Sequence, residues 1–265
     1  MAPITKVNDK VKVVLTGFQP FAHHLTNPSW LSVQPLHNTL LDLPEVPVAK
    51  QGPKHHRATQ AYLVCQELPV EYQKVPNLVP ELHVTHSRTI TKDGQVIEVE
   101  VDESKQEEEK GKENEEYLKT YYIHVGVGRD GHTAIETQAH RAGYGGLDNA
   151  KWTPPNKDEP PVVKEEWSAD PDLLTTTVDT AALAEYLKTE KGWICQQSLD
   201  AGHYLCEYTF YLSMAERQRR IAAGEEGEGE RTCLFVHLPS VGNPYTLEEL
   251  QRFVKDMIIG VVTQY

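Results

Sequence analysis

Lys10-Val11-Lys12-Val13-Val14-Leu15-Thr16, running into Gly17-Phe18-Gln19-Pro20-Phe21, is the stretch on which the fold turns. Val11, Val13, Val14 and Thr16 are β-branched and the run stops at a glycine, which predicts a strand over 10–16. The five residues after it form a loop at that strand's C-terminal end, the edge at which open α/β sheets place ligands. Asn27-Pro28-Ser29-Trp30 then opens a helix, with Asn27 as N-cap and Pro28 at the first helical position, where a missing N–H costs nothing.

The same alternation recurs further along the chain. Strands are predicted at Tyr62–Leu68, Tyr121–Val125, Trp193–Ser198 and Leu234–Leu238. Helices are predicted at Tyr72–Leu82, although Pro76 and Pro80 interrupt it, at Asp179–Lys188 with Asp179 as cap, and at Thr246–Val262. The last opens with a capping box, Thr246 and Glu249. Residues 150–172 hold five prolines and two tryptophans and read as an ordered loop. Strands alternating with helices define an α/β layered protein. At 265 residues the expectation is one domain spanning 1–265.

Charge is unevenly spread. Residues 98–116 carry ten acids and three bases, and 225–231 four acids and one base, which accounts for ten of the thirteen net negative charges. Residues 85–116 read as one surface insertion, a hairpin turning at Asp93-Gly94 followed by an acidic low-complexity stretch. This local acidity gives no sign of a nucleic-acid binder, which needs a basic face. The N-terminal residues lack the apolar run of a signal peptide and nothing approaches a membrane span. The four cysteines form no C-x-x-C pair, so the expectation is reduced thiols in the cytoplasm.

Cys206 stands apart from the other three. In Asp200-Ala201-Gly202-His203-Tyr204-Leu205-Cys206 a small turn runs into a helix-like segment, placing a thiol on a first helical turn, where free N–H groups and the helix dipole favour a thiolate. Cys65, Cys195 and Cys233 lie in strand-like runs and read as core residues. His237 ends the 234–238 strand and is either a structural histidine or the base for that thiol. Glu136, beside Ala134 and Ile135, is either a surface acid or a partner placed at the C-terminal end of the 121–125 strand. His23-His24 and His55-His56 lack the context of paired metal ligands, and no metal or cofactor is expected. Gly126-Val127-Gly128-Arg129-Asp130-Gly131 matches a dinucleotide fingerprint, but no amphipathic helix and second strand follow at the required distance.

Taken in order, TGFQPF (16–21), NPSW (27–30), ELPVEYQ (67–73), HVGVG (124–128), GYGGLDN (143–149), DAGHYLCEYTFY (200–211) and FVHLP (235–239) resemble the pyroglutamyl-peptidase I family, in its animal-type branch. These are cysteine peptidases that remove an N-terminal pyroglutamate. The resemblance implies a mixed, mostly parallel twisted sheet between helical layers, a three-layer α/β/α sandwich. It implies a Glu136–Cys206–His237 triad, Phe18 and Phe21 as walls for the lactam ring, and Asn27, Tyr204 and Leu205 as further substrate-binding positions. The implied substrate is a pyroglutamyl peptide, acted on by a monomer or weak homo-oligomer without nucleic acid or membrane. A non-catalytic pyroglutamyl-binding homologue and a different thiol amidohydrolase are the alternatives.

Overall fold

The computed structural model of the chain describes residues 10–21, 26–45, 58–84, 117–225 and 231–264. Among them are nine strands: β1 (Lys10–Phe18), β2 (Thr39–Asp42), β3 (Gln60–Leu68), β4 (Thr120–Val127), β5 (Thr133–Glu136), β6 (Gln138–His140), β7 (Leu173–Thr175), β8 (Cys195–Ser198) and β9 (Arg231–Leu238). The helices are α1 (Pro28–Val33), α2 (Val75–Val84), α3 (Thr180–Thr189), α4 (Leu205–Ala222) and α5 (Leu247–Thr263). The expected insertion at 85–116 and the paired histidines at 23–24 and 55–56 lie outside the described residues.

Seven strands form one sheet in the order β2-β3-β1-β4-β9-β5-β8. The central four, β3, β1, β4 and β9, are mutually parallel, whereas β2 joins one edge antiparallel and β5 reverses direction beside β9. Strand β8 is parallel to β5, so the two reversed strands form the other edge. A separate two-stranded ribbon pairs β6 with β7.

Alternation of side chains sends consecutive residues of each strand into two different cores. Val11, Val13 and Leu15 of β1, with Ile123, Val125, Leu234 and Val236, pack under α1, α3 and α5. Val14 and Phe18 of the same strand, with Tyr122, Cys233 and Phe235, pack under α2 and α4. A sheet buried on both faces by helices is the three-layer sandwich, and it explains why the central strands read as nearly continuous apolar runs. Helix α5 shows the matching pattern: Leu250, Phe253, Val254, Met257, Ile258 and Val261 are buried at helical spacing. Each such side chain contributes about 1.5–3 kcal/mol on burial. Its capping box forms as expected, Glu249 N donating to Thr246 Oγ1 and Thr246 N to Glu249 Oε2.

Several expectations shift. Strand β1 continues through Gly17 and Phe18, because β3 supplies parallel partners as far as Leu68, so the loop starts at Gln19. The helix expected at 72–82 begins only at Val75; before it the chain makes a turn in which Lys74 N and Val75 N both donate to Glu71 O, while Tyr72 N donates to the carboxylate of Asp148. The strand expected at 193–198 starts at Cys195. The largest correction concerns Glu136: it sits on its own reversed strand, β5, and not at the end of the 121–125 strand.

Candidate active site

The turn before Cys206 is built from two consecutive left-handed residues, Gly202 at φ 97° and His203 at φ 47°. Glycine takes this conformation without cost, but histidine does not. The cost at His203 is offset by its backbone N–H, which donates to Glu207 Oε2 at 2.7 Å. The chain then enters α4 through Tyr204, an extended N-cap that provides no side-chain acceptor. Cys206 is the second residue of that helix, where backbone N–H groups are left for an anion. Its thiol is partly exposed, while Cys65, Cys195 and Cys233 are buried. Desolvation pushes Cys65 up to about 12 and Cys195 up to about 11, so neither supplies a thiolate near neutrality.

His237 faces this thiol from β9. Its Nδ1 donates to Glu136 Oε1 at 2.7 Å, because a carboxylate only accepts. That leaves Nε2 for the hydrogen bond with Cys206. In the β5–β9 register Glu136 stands opposite Phe235, with Ala134 opposite His237. The carboxylate therefore reaches the imidazole along a diagonal between two antiparallel strands. Burial works to lower the imidazole pKa, but the hydrogen bonds and charges of Cys206 and Glu136 together raise it to about 10. Glu136 is 1% exposed, and its Oε2 has no hydrogen-bond partner among the described residues.

Gly126 and Gly128 of the 126–131 fingerprint have a steric task here. A Cβ on Gly126 would lie 2.9 Å from Cys206 Sγ, and one on Gly128 would lie 2.7 Å from His237 Cβ. Gly126-Val127-Gly128 thus clears the space that the thiol and the imidazole occupy over β4. The element after it is β5, a strand, so the helix a pyrophosphate needs is missing at that place.

Around Cys206, the stretches that carried the resemblance converge. Asn27 Nδ2 donates to Gln19 O at 3.0 Å, and its Oδ1 accepts from Ser29 N and Ser29 Oγ, so it holds the loop after β1 as well as capping α1. Asn149 Nδ2 donates to Pro20 O at 2.8 Å, and Asn149 N to Val70 O at 3.0 Å. Asp148, which is 3% exposed, accepts from Tyr72 N and Trp152 N. Tyr204 Oη donates to Leu147 O at 2.8 Å, and its ring lies 6.1 Å from that of Phe21. The two expected walls differ: Phe18 is 2% exposed and packs 6.3 Å from Phe235, while Phe21 is half-buried. Leu205 is buried beneath the turn.

Three contributors escaped the sequence reading. Glu207, 1% exposed, accepts from His140 N at 2.9 Å and His140 Nδ1 at 2.7 Å besides His203 N, pinning the turn from inside. An acid at the third position of a helix is a known helix-start signal, and here it reaches one residue beyond the usual capping-box partner. Asp148 and the reversed strand β5 left no local trace of comparable strength.

An α/β sandwich with a thiol at a helix N-terminus, beside an imidazole bonded to a buried carboxylate, has the arrangement of a cysteine hydrolase. No family model matches the chain. Among curated proteins it is 28% identical to mouse pyroglutamyl-peptidase 1 over 257 residues, covering 95% of this chain and 91% of the mouse protein. With human pyroglutamyl-peptidase 1 it shares 28% identity over 248 residues, 93% of this chain and 87% of the human protein. Among solved structures, pyrrolidone carboxyl peptidase from Fervidobacterium islandicum superposes with a TM-score of 0.60 at 22% identity, covering 94% of this chain and 97% of that one. The chain is thus similar in sequence to pyroglutamyl-peptidase 1 and shares the fold of the solved pyrrolidone carboxyl peptidase.

Proposed function

We propose that the protein is a cysteine exopeptidase that hydrolyses the bond after an N-terminal pyroglutamyl residue. The observation that carries this reading is the relay from Glu136 through His237 to a partly exposed thiol at the start of α4. Cys206 attacks the pyroglutamyl carbonyl as a thiolate, its proton having passed to His237 Nε2. The tetrahedral oxyanion is held by backbone N–H groups at the first turn of α4. His237 then protonates the leaving amine, giving a thioacyl-enzyme that water hydrolyses with the same imidazole as base. Glu136 fixes the tautomer and stabilises the imidazolium, the orienting role of a third triad member.

A pyroglutamyl residue has no free amine, so recognition depends on a flat lactam with one N–H and one C=O. Phe21 and Tyr204 offer aromatic surface beside the thiol, Phe18 at the end of β1 and Leu205 form the floor, and Asn27 holds the loop that carries Phe21. In this reading the chain is a single domain that acts in the cytoplasm on peptide substrates.

Turnover of a pyroglutamyl–fluorophore amide, beside prolyl and alanyl analogues, tests the reading. The pyroglutamyl amide should be cleaved at least about 10³-fold better than the prolyl one, because a site built for the lactam C=O leaves a buried donor unpaired with proline. Equal cleavage of all three would point to a different thiol amidohydrolase, and no cleavage to a binding homologue.

A further inference from the structure

On the far side of the Cys206 turn, three side chains converge that the hydrolytic reading leaves without chemistry. His140 on β6, His203 in the left-handed turn and Glu207 on α4 bring one ligand atom each within 4.8 Å of one another. His140 Nδ1 lies 2.7 Å from Glu207 Oε1, and His203 Nδ1 lies 3.8 Å from Glu207 Oε2. We propose that these three residues form a binding site for a divalent transition cation of the zinc class.

The ligand set and its support fit that cation. Two imidazoles and one carboxylate, with a fourth position left to water, is a usual open zinc set. Tetrahedral coordination at about 2.0–2.1 Å needs ligand atoms about 3.3 Å apart, an adjustment that side-chain rotation supplies. The carboxylate is 1% exposed, whereas the side chains of His140 and His203 are 39% and 48% exposed, so a cation enters from solvent onto a buried anion.

The surroundings already hold the ligands in place. Backbone N–H groups of His140 and His203 fix both oxygens of Glu207, as outer partners do in metal sites. The His203 ring is confined by Gly143, where an added Cβ would come within 2.8 Å of Nδ1, and by the edge of Tyr144 at 6.3 Å. The two imidazole centroids are 5.1 Å apart. In the absence of a cation, His140 Nδ1 carries a proton that it donates to Glu207. On binding, that proton leaves to solvent and the nitrogen lone pair takes its place on the metal. The site is separate from the thiol, although Glu207 is its sequence neighbour and His203 forms its turn.

The test uses the full chain carrying Cys206→Ala, so that no nucleophilic thiolate competes for metal. Zn2+ is titrated calorimetrically at neutral pH into this protein, then into it with His140→Ala or His203→Ala added. One Zn2+ per chain should bind to the first, and each added substitution should weaken that event more than about tenfold. Thermal unfolding without metal should show both variants folded, His140→Ala losing some stability with its 2.7 Å hydrogen bond to the buried Glu207. Co2+ should give visible bands of four-coordinate metal in the first protein and lose them in the other two. Absence of Zn2+ binding to the Cys206→Ala protein would overturn the proposal. So would binding that both histidine substitutions leave untouched, because the cation would then sit elsewhere. None of these readouts depends on peptidase activity.

Discussion

Glu136 reaches His237 across a diagonal of two antiparallel strands: its register partner is Phe235, yet its Oε1 accepts the His237 Nδ1 proton at 2.7 Å. Because β5 runs against β9, the acid lies level with Phe235 and reaches the imidazole two residues further along β9. The carboxylate is thereby buried and removed from competing water. Its effect on the imidazole is large for that reason: Glu136 and Cys206 outweigh the burial of His237 and raise it to about 10.

The alkaline side of the pH profile follows from that shift. His237 binds its proton more tightly folded than unfolded, so the stability it contributes is complete below about 6.5 and is lost as pH rises through about 10. Activity that needs the imidazolium as acid should fall over the same upper range. Glu136→Gln removes one of the raising charges, and its alkaline limb should move to lower pH, with kcat/KM reduced by about 10- to 100-fold. A profile of kcat/KM against pH for both proteins checks this. An unmoved limb removes Glu136 from the relay.

Cys206→Ser should lower kcat/KM by at least about 10³-fold with the fold intact, since a hydroxyl stays protonated in a site arranged for a thiolate. Cys65→Ser, Cys195→Ser and Cys233→Ser should keep the parent's kcat/KM, their cost appearing as lower thermal stability. Steady-state kinetics on the four variants, with unfolding curves, distinguishes the two outcomes. Near-parental kcat in Cys206→Ser would end the assignment.

Gly126→Ala and Gly128→Ala should inactivate without unfolding. The added methyl of the first collides with Cys206 Sγ at 2.9 Å and the Phe235 ring, and that of the second with His237 Cβ at 2.7 Å. Moving either reacting group by about 1 Å is expected to cost roughly 10²-fold in kcat/KM. Thermal unfolding beside kinetics is the check, and parental activity in both variants would contradict the clearance argument.

The ring at the end of β1 and the ring of the loop after it should separate experimentally. Phe18→Ala empties a core position 2% exposed and should cost about 3–5 kcal/mol of stability. Phe21→Ala, half-buried beside Tyr204, should leave stability near the parent and raise KM, on the order of 1–3 kcal/mol of lost ring contact. Denaturant unfolding and KM for each variant decide whether the two rings divide in this way.

Much of this molecule was legible before any coordinates. The central strands β1, β3, β4 and β9 are buried on both faces, so their chemistry is written as unbroken β-branched and aromatic runs. Helices α1, α3 and α5 announce themselves through Asn27, Asp179 and the Thr246–Glu249 box, because capping is a local bond between near neighbours. Cys206 was legible for the same reason: a glycine turn into an apolar helix is a local pattern. The short strands β2, β5, β6 and β7 were not, because three or four residues carry no periodicity; β8, equally short, was legible only as the end of the longer Trp193–Ser198 run.

What the linear chain could not express is direction and distance. The reversal of β5, the diagonal from Glu136 to His237, and the clearance of Gly126 under Cys206 depend on segments about eighty to a hundred residues apart. The buried carboxylates of Asp148 and Glu207 belong with them, since a sequence marks an acid without saying which backbone N–H groups will surround it. Local hydrogen bonding and burial periodicity are properties of adjacent residues, and the sequence determines them alone. Contacts across the sheet exist only once packing has brought its strands into register, so the tertiary structure decided the geometry of the site.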